Sequence, residues 1–162
     1  LKMFEVKDNF LPEKEYINIY TLLADEYFPW YFNNYKTVPH TKELFDYQFT
    51  HIFYKDNEIL SPFFKGLKPL IDKLNSRTLV RIKANLNPIT QELIKSKSHT
   101  DQDFECKVAI YYLNTNNGYT MLEDKKVESK ANRIVLFDSS IFHYGTNSTN
   151  CNNRMVINFN YF

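Results

Sequence analysis

The residues best able to do chemistry in this 162-residue chain are His99 and Asp101, in Ser98-His99-Thr100-Asp101. They stand two apart in a β-prone stretch, and residues i and i+2 of a strand share a face. A neutral imidazole and a carboxylate on one face can hold two neighbouring positions of a divalent metal, so a third ligand is sought elsewhere. His143, in Phe142-His143-Tyr144-Gly145, supplies it. Two imidazoles and one carboxylate on one side of a metal leave the opposite positions open, the donor set of non-haem Fe(II) centres that admit a substrate and O2. Arg154 follows His143 by eleven residues and opens the strand-like run 154–161. Its planar guanidinium can grip a carboxylate through two parallel N–H donors.

With 4 His and 19 Asp and Glu in the chain, roughly half a His-x-acid pair is expected by chance, so His99 and Asp101 alone carry little weight. A histidine 42 residues after Asp101 and an arginine beyond it, each in a strand-like run, add the rest.

These residues need a scaffold, and the apolar pattern supplies one. Residues 1–6 read as a first strand. Leu11-Pro12-Glu13 starts a helix over 13–26, with Tyr16, Ile19, Tyr20 and Leu23 at helical spacing. The aromatic stretch 27–32 reads as core or lid packing. A strand is expected over 47–54, closed by the turn Asp56-Asn57. Ser61-Pro62 caps a second helix, to about Leu74. From Thr78 the period becomes two: Val80, Ile82, Ala84 and Leu86 alternate with Arg81, Lys83, Asn85 and Asn87 until Pro88. That polar face is either solvent-facing or the lining of a polar pocket. Further strands are expected over 107–113, 119–122, 133–137, 141–144 and 154–161. His40 and His51 have no carboxylate at i+2 and are left out of the site. The sum is α+β, mainly β: a double-stranded β-helix, or jelly roll, with flanking N-terminal helices, in a single domain spanning 1–162.

Composition narrows the partners. Hydrophobic residues make up 43% and aromatic ones 17%, enough for a core and against disorder. The net charge of +1 gives no global field to draw nucleic acid or an anionic membrane, and the basic stretches 65–83 and 95–97 read as solvated faces. Abundant Lys and Asn beside only four arginines suggest coding bias in an AT-rich genome. Cys106 and Cys151 are too few for a disulfide scaffold, and no leader or membrane-spanning run is present, so a cytoplasmic setting is expected.

Several motifs are similar to those of 2-oxoglutarate and Fe(II)-dependent dioxygenases. They are Asp8-Asn9-Phe10-Leu11-Pro12, Phe28-Pro29-Trp30, Ala84-Asn85-Leu86, His99-x-Asp101, Tyr111-Tyr112-Leu113-Asn114, Asn132-Arg133-Ile134-Val135-Leu136-Phe137, His143 and Arg154. The chain most resembles the prolyl-4-hydroxylase-like branch and its short, phage-type members. The resemblance implies that His99, Asp101 and His143 hold Fe(II), that Arg154 binds the distal carboxylate of 2-oxoglutarate, and that Tyr112 lines the co-substrate pocket. Asn85 and Asn158, with Asn160, are further pocket candidates, the last two sharing a strand face with Arg154. It implies hydroxylation of a prime substrate, such as a peptidyl proline or a small molecule, with O2 consumed and succinate and CO2 released. Two departures stand out. Asn87 precedes Pro88 where relatives often carry tyrosine, and a glycine-pair-Glu-Thr motif is reduced to Gly118-Tyr119-Thr120. The alternative is a cupin-like metal-binding jelly roll without redox turnover, an isomerase or a ligand-binding module, or a purely structural jelly roll in which the triad is accidental.

Overall fold

The computed structural model describes residues 4–37 and 44–162. Residues 1–3 of the expected first strand, and His40, lie outside them. The first strand, β1 (Glu5–Lys7), leads through Pro12 into α1 (Glu13–Ala24). Proline costs nothing there, because the first N–H groups of a helix have no partner in it. Ile19 and Leu23, one helical turn apart, face the core. The Tyr16 hydroxyl donates to the carbonyl of Leu113 at 3.0 Å and ties α1 to the sheet.

The aromatic stretch is only partly core. Phe28 is buried, but Tyr31 and Phe32 lie on an exposed edge strand, β2 (Tyr31–Asn33). Next come β3 (Gln48–Lys55) and the short β4 (Glu58–Ile59), joined by Asp56 and Asn57 with φ of 54° and 62°. Two left-handed residues make the hairpin turn that matches strand twist. The second helix begins later than its pattern suggests. A 3-10 turn, Phe64–Leu67, precedes α2 (Lys68–Leu74). An α-helix running from Ser61 would need an N–H from Pro69, which has none, so the Lys68 N–H bonds instead to Lys65 three residues back.

The remaining strands are β5 (Leu79–Pro88), β6 (Lys107–Tyr112), β7 (Tyr119–Leu122), β8 (Lys125–Glu128), β9 (Arg133–Asp138), β10 (His143–Gly145) and β11 (Asn153–Tyr161). The major sheet has the order β1-β9-β6-β11-β5-β3-β2, with β4 on β3; the minor sheet is β10-β7-β8. All pairings are antiparallel. Among the described residues this is a jelly roll with two α-helices, in which the last strand, β11, lies between the early strands β5 and β6.

Alternation along β11 assigns the two faces of the major sheet. Met155, Ile157, Phe159 and Tyr161 join Ile82, Ala84, Tyr111 and Ile134 in the core under the helices, with Ile19, Leu23, Leu67 and Leu70. Val156 packs on the other side with Val108, Ile110, Tyr112, Val135 and Phe137, against Leu122 and Val127 of the minor sheet. That second face is apolar on β6 and β9 but carries Arg154, Asn158, Asn160, Lys83 and Asn85 on β11 and β5. A polar stripe facing a covering sheet makes a pocket, which decides the question left open for the polar face of β5.

Candidate metal centre

His143 begins β10, opposite Leu122 of β7, and there meets His99. Each backbone N–H donates to the other's carbonyl, at 3.0 Å from His99 and 2.9 Å from His143. The segment carrying His99 and Asp101 is not a regular strand as its residues suggested. It is a connection between β5 and β6 that touches the minor sheet through single bridges, Lys95 with Thr146 and His99 with His143. Pro88 ends β5, and the polar run after it has no apolar alternation to hold a ladder.

The bridge sets the imidazoles side by side, ring centroids 4.6 Å apart. The Nδ1 atom of His99 faces the Lys97 carbonyl at 3.0 Å, and that of His143 faces the Ile141 carbonyl at 3.1 Å. A carbonyl only accepts, so each Nδ1 carries a proton and each Nε2 is turned toward Asp101, where without a metal it can donate a proton and with one it would offer its lone pair. Both Nε2 atoms face Asp101 Oδ1, at 3.6 Å from His99 and 3.5 Å from His143. One donor atom from each of the three residues lies within 4.8 Å of the others.

Asp101 is held from behind. Its Oδ2 accepts the side-chain amides of Asn158 and Asn160 at 2.9 and 3.0 Å. Gln102 donates to Asn160 Oδ1 at 3.1 Å and fixes that amide's orientation. Arg81 lies 3.7 Å from Oδ1. Burial alone would raise the Asp101 carboxyl, but its contacts to His143 and His99 outweigh burial and hold it well below the ordinary carboxylate range. It is therefore ionised, as a metal ligand must be. Two imidazole lone pairs and one carboxylate oxygen converging on one point suit a divalent transition metal with open positions on the far side.

Arg154 lies at the other end of the same cavity. It is buried, with Nε donating to Ser129 Oγ at 2.7 Å and a terminal nitrogen donating to Thr120 Oγ1 at 3.1 Å. Among the described residues no carboxylate pairs with it. The Tyr112 hydroxyl also donates to Thr120 Oγ1, at 2.8 Å. Thr120 therefore accepts twice, and its own proton is left for an acceptor in the cavity. Tyr112 itself is not on the cavity wall; it stands behind Arg154, its ring centroid 5.6 Å from the guanidinium carbon. Two of the chain's three glycines flank the arginine. A Cβ on Gly118 would meet Arg154 Cδ at 2.6 Å, and one on Gly145 would lie 3.4 Å from its terminal nitrogen.

Asn85, Asn87 and Asn158 line the cavity, as does Lys83. Lys83 corrects the reading of 65–83 as a solvated basic face: it is half-buried in the cavity wall, and desolvation pulls its ammonium down to about 8. Asn160 reaches Asp101 rather than the open cavity. Asn158 Oδ1 and Asn85 Oδ1 are buried and have no hydrogen-bond partner among the described residues. His51 is a core residue on the helix side of the sheet, against Phe28 and Phe53, with Ser61 Oγ 2.7 Å from its Nε2. Thr120, Ser129, Gly118 and Gly145 were not singled out from the sequence as site residues. The one signal for Thr120 was its place in the reduced Gly118-Tyr119-Thr120 motif.

No protein-family model matches the sequence, and no curated protein matches it. Solved structures do. A prolyl hydroxylase from Trichoplax adhaerens, in complex with a hypoxia inducible factor oxygen degradation domain peptide fragment, superposes with a TM-score of 0.69 at 16% identity, over 98% of this chain and 83% of that one. The fold is that of the 2-oxoglutarate and Fe(II)-dependent oxygenases. An oxidoreductase of the 2OG-Fe(II) oxygenase family from Burkholderia pseudomallei superposes at TM-score 0.69 and 10% identity, over 98% of this chain and 84% of that one. So does a non-heme alpha ketoglutarate dependent epimerase from nogalamycin biosynthesis, at 0.69 and 12%, over 99% and 78%. No helix among the described residues is long and apolar enough to cross a membrane.

Proposed function

We propose that this chain, as a single domain, is a 2-oxoglutarate- and Fe(II)-dependent dioxygenase that hydroxylates a prime substrate. The observation that carries the reading is one cavity holding both halves of the chemistry: three converging metal donors at one end and, at the other, a buried arginine that pairs with no carboxylate among the described residues. His99 Nε2, Asp101 Oδ1 and His143 Nε2 hold the metal. Arg154 and the Thr120 hydroxyl take the distal carboxylate of 2-oxoglutarate. Such a metal supplies the oxidative step, in which 2-oxoglutarate, O2 and a C–H bond become succinate, CO2 and an alcohol.

The protein's part is geometry. Lys97 and Ile141 carbonyls fix both imidazole tautomers, and Asn158 and Asn160 fix Asp101, so the donors need little reorganisation on binding. Tyr112 holds Thr120 and packs on Arg154. Val156 and Ile110 give the cavity an apolar floor that limits water near the reacting atoms. The metal-binding cupin-like alternative has no use for a buried, unpaired arginine in the same cavity, and we set it second for that reason. The same fold serves prolyl hydroxylases and an epimerase, so the hydroxylation outcome rests on the resemblance in the sequence motifs. A peptidyl proline is one candidate substrate and a small molecule another. A phage origin and a host-cytoplasmic setting belong to this proposal, supported by the composition and the two unpaired cysteines.

The test is ligand-linked stability. Mn(II) under anaerobic conditions should raise the melting temperature, and 2-oxoglutarate should raise it further only when metal is present. A ligand at a hundredfold excess over Kd stabilises by about 2.7 kcal/mol, or several degrees for a domain of this size. Melting curves unmoved by metal, with or without co-substrate, would overturn the proposal.

A further inference from the structure

The cavity carries more positive charge than the proposed co-substrate uses. Among the described residues Lys36, Lys83 and Arg154 line it with one lining carboxylate, Asp101, while Asp46 acts on Lys36 from outside the lining. A divalent metal and dianionic 2-oxoglutarate neutralise each other, so a net positive charge remains when both are bound. Arg154 is accounted for. It pairs across the sheet with Asn87, whereas Lys83 pairs with Asn158, the residue that donates to Asp101. Arg154 and Lys83 are thus about 14 Å apart along the strands, at roughly 3.4 Å per residue. A dicarboxylate running from the metal to Arg154 uses the far cation and leaves Lys83 beside the metal end, where the prime substrate must enter. Among the described residues Lys83 has no ion pair or hydrogen bond. Next to it Asn158 Oδ1 is buried and unpartnered, its orientation set by the Asp101 contact on the same amide. A desolvated cation and a desolvated acceptor side by side both lose free energy unless a ligand meets them.

We propose that Lys83 is a specificity-determining residue for the prime substrate, which presents to it an anionic group, a carboxylate or a phosphate, and presents to Asn158 Oδ1 an N–H or O–H donor. This rests on the reading of the site given above, and it disfavours a neutral prolyl peptide with no acidic group near the reacting carbon.

The probes are acetate and inorganic phosphate, with methylammonium as the control, added at constant ionic strength to protein loaded anaerobically with Mn(II) and 2-oxoglutarate. At least one of the anions should raise the melting temperature, and which of them does so separates a carboxylate from a phosphate site. Methylammonium should not. In Lys83→Met the anion response should need about tenfold or more higher concentration, as expected for losing one charge-assisted contact. Lys83→Arg should keep it, and Lys125→Met, at an exposed lysine, should respond like the native chain. Lys83→Gln serves if the methionine variant does not fold. The proposal is overturned if neither anion acts, if Lys83→Met, or Lys83→Gln in its place, responds like the native protein, which means an adventitious ion only, or if that variant loses the 2-oxoglutarate response as fully as Arg154→Ala. A native protein that responds to neither Mn(II) nor 2-oxoglutarate marks the failure of the dioxygenase reading itself.

Discussion

Truncating Arg154 separates co-substrate binding from metal binding more sharply than any other change. Arg154→Ala removes a guanidinium that donates to Ser129 and Thr120 and lies 5.6 Å from the centre of the Tyr112 ring. Without ligand, the losses and gains oppose each other. Two buried hydrogen bonds disappear at about 1 kcal/mol each, while an unpaired buried charge, which costs several kcal/mol to desolvate, disappears too. The variant should therefore fold with nearly native or higher stability. With ligand, the change is one-sided. A charge-assisted bond contributes about 1.5–3 kcal/mol, so losing the clamp should raise the KM for 2-oxoglutarate by about tenfold to somewhat over a hundredfold. The Mn(II)-induced rise in melting temperature should persist, because no atom of Arg154 is among the three donors. Steady-state succinate formation and anaerobic melting on the same preparation give both readings. Loss of the metal response with normal co-substrate affinity would refute the assignment.

Asp101→Ala should abolish succinate formation, because two imidazoles leave the metal one protein ligand short and its charge less neutralised; native-rate turnover would refute this. Gly118→Ala places a Cβ 2.5 Å from the Asn147 carbonyl oxygen and 2.6 Å from Arg154 Cδ, so it should cost about 1–3 kcal/mol of stability in denaturant unfolding and raise the KM for 2-oxoglutarate. In metal-free protein, desolvation lowers Lys83 from 10.5 to about 8. A lysine depressed in the folded state costs stability in full below pH 8, and the cost is relieved as pH rises from 8 to 10.5, because the unfolded chain then binds the extra proton. Lys83→Met should therefore be more stable than the native chain at neutral pH, by on the order of 3 kcal/mol, with the difference shrinking across that window in denaturant midpoints.

The parts of the site legible in the sequence were those with rare chemistry. His99, Asp101, His143 and Arg154 are uncommon residue types at spacings that few other roles require. Thr120 and Ser129 were not legible, because serine and threonine are common and their task appears only when β7 and the turn after β8 close over Arg154. The polarity of β5 was visible as alternation, but not which face is covered. That depends on the minor sheet, whose strand β8 has one buried apolar residue, Val127, and so no visible period. Tyr112 was given a pocket role by resemblance, and packing places it one layer further back. The exposed edge β2 was hidden because its aromatic residues look like core. The segment bearing His99 and Asp101 looked like a strand and is instead a connection fixed by two isolated bridges, one of which delivers the same convergence through backbone pairing of His99 with His143.

Under the proposed function, this chain couples 2-oxoglutarate decarboxylation to O2 reduction at the His99, Asp101 and His143 centre. Purified protein given Fe(II), 2-oxoglutarate and air should form succinate and CO2 in equal amounts, slowly even without a prime substrate, and should form none when O2 is excluded or when Asp101 is replaced by alanine. Succinate at the same rate without O2 or in the Asp101 variant, or none from the native chain under any of these conditions, would contradict it.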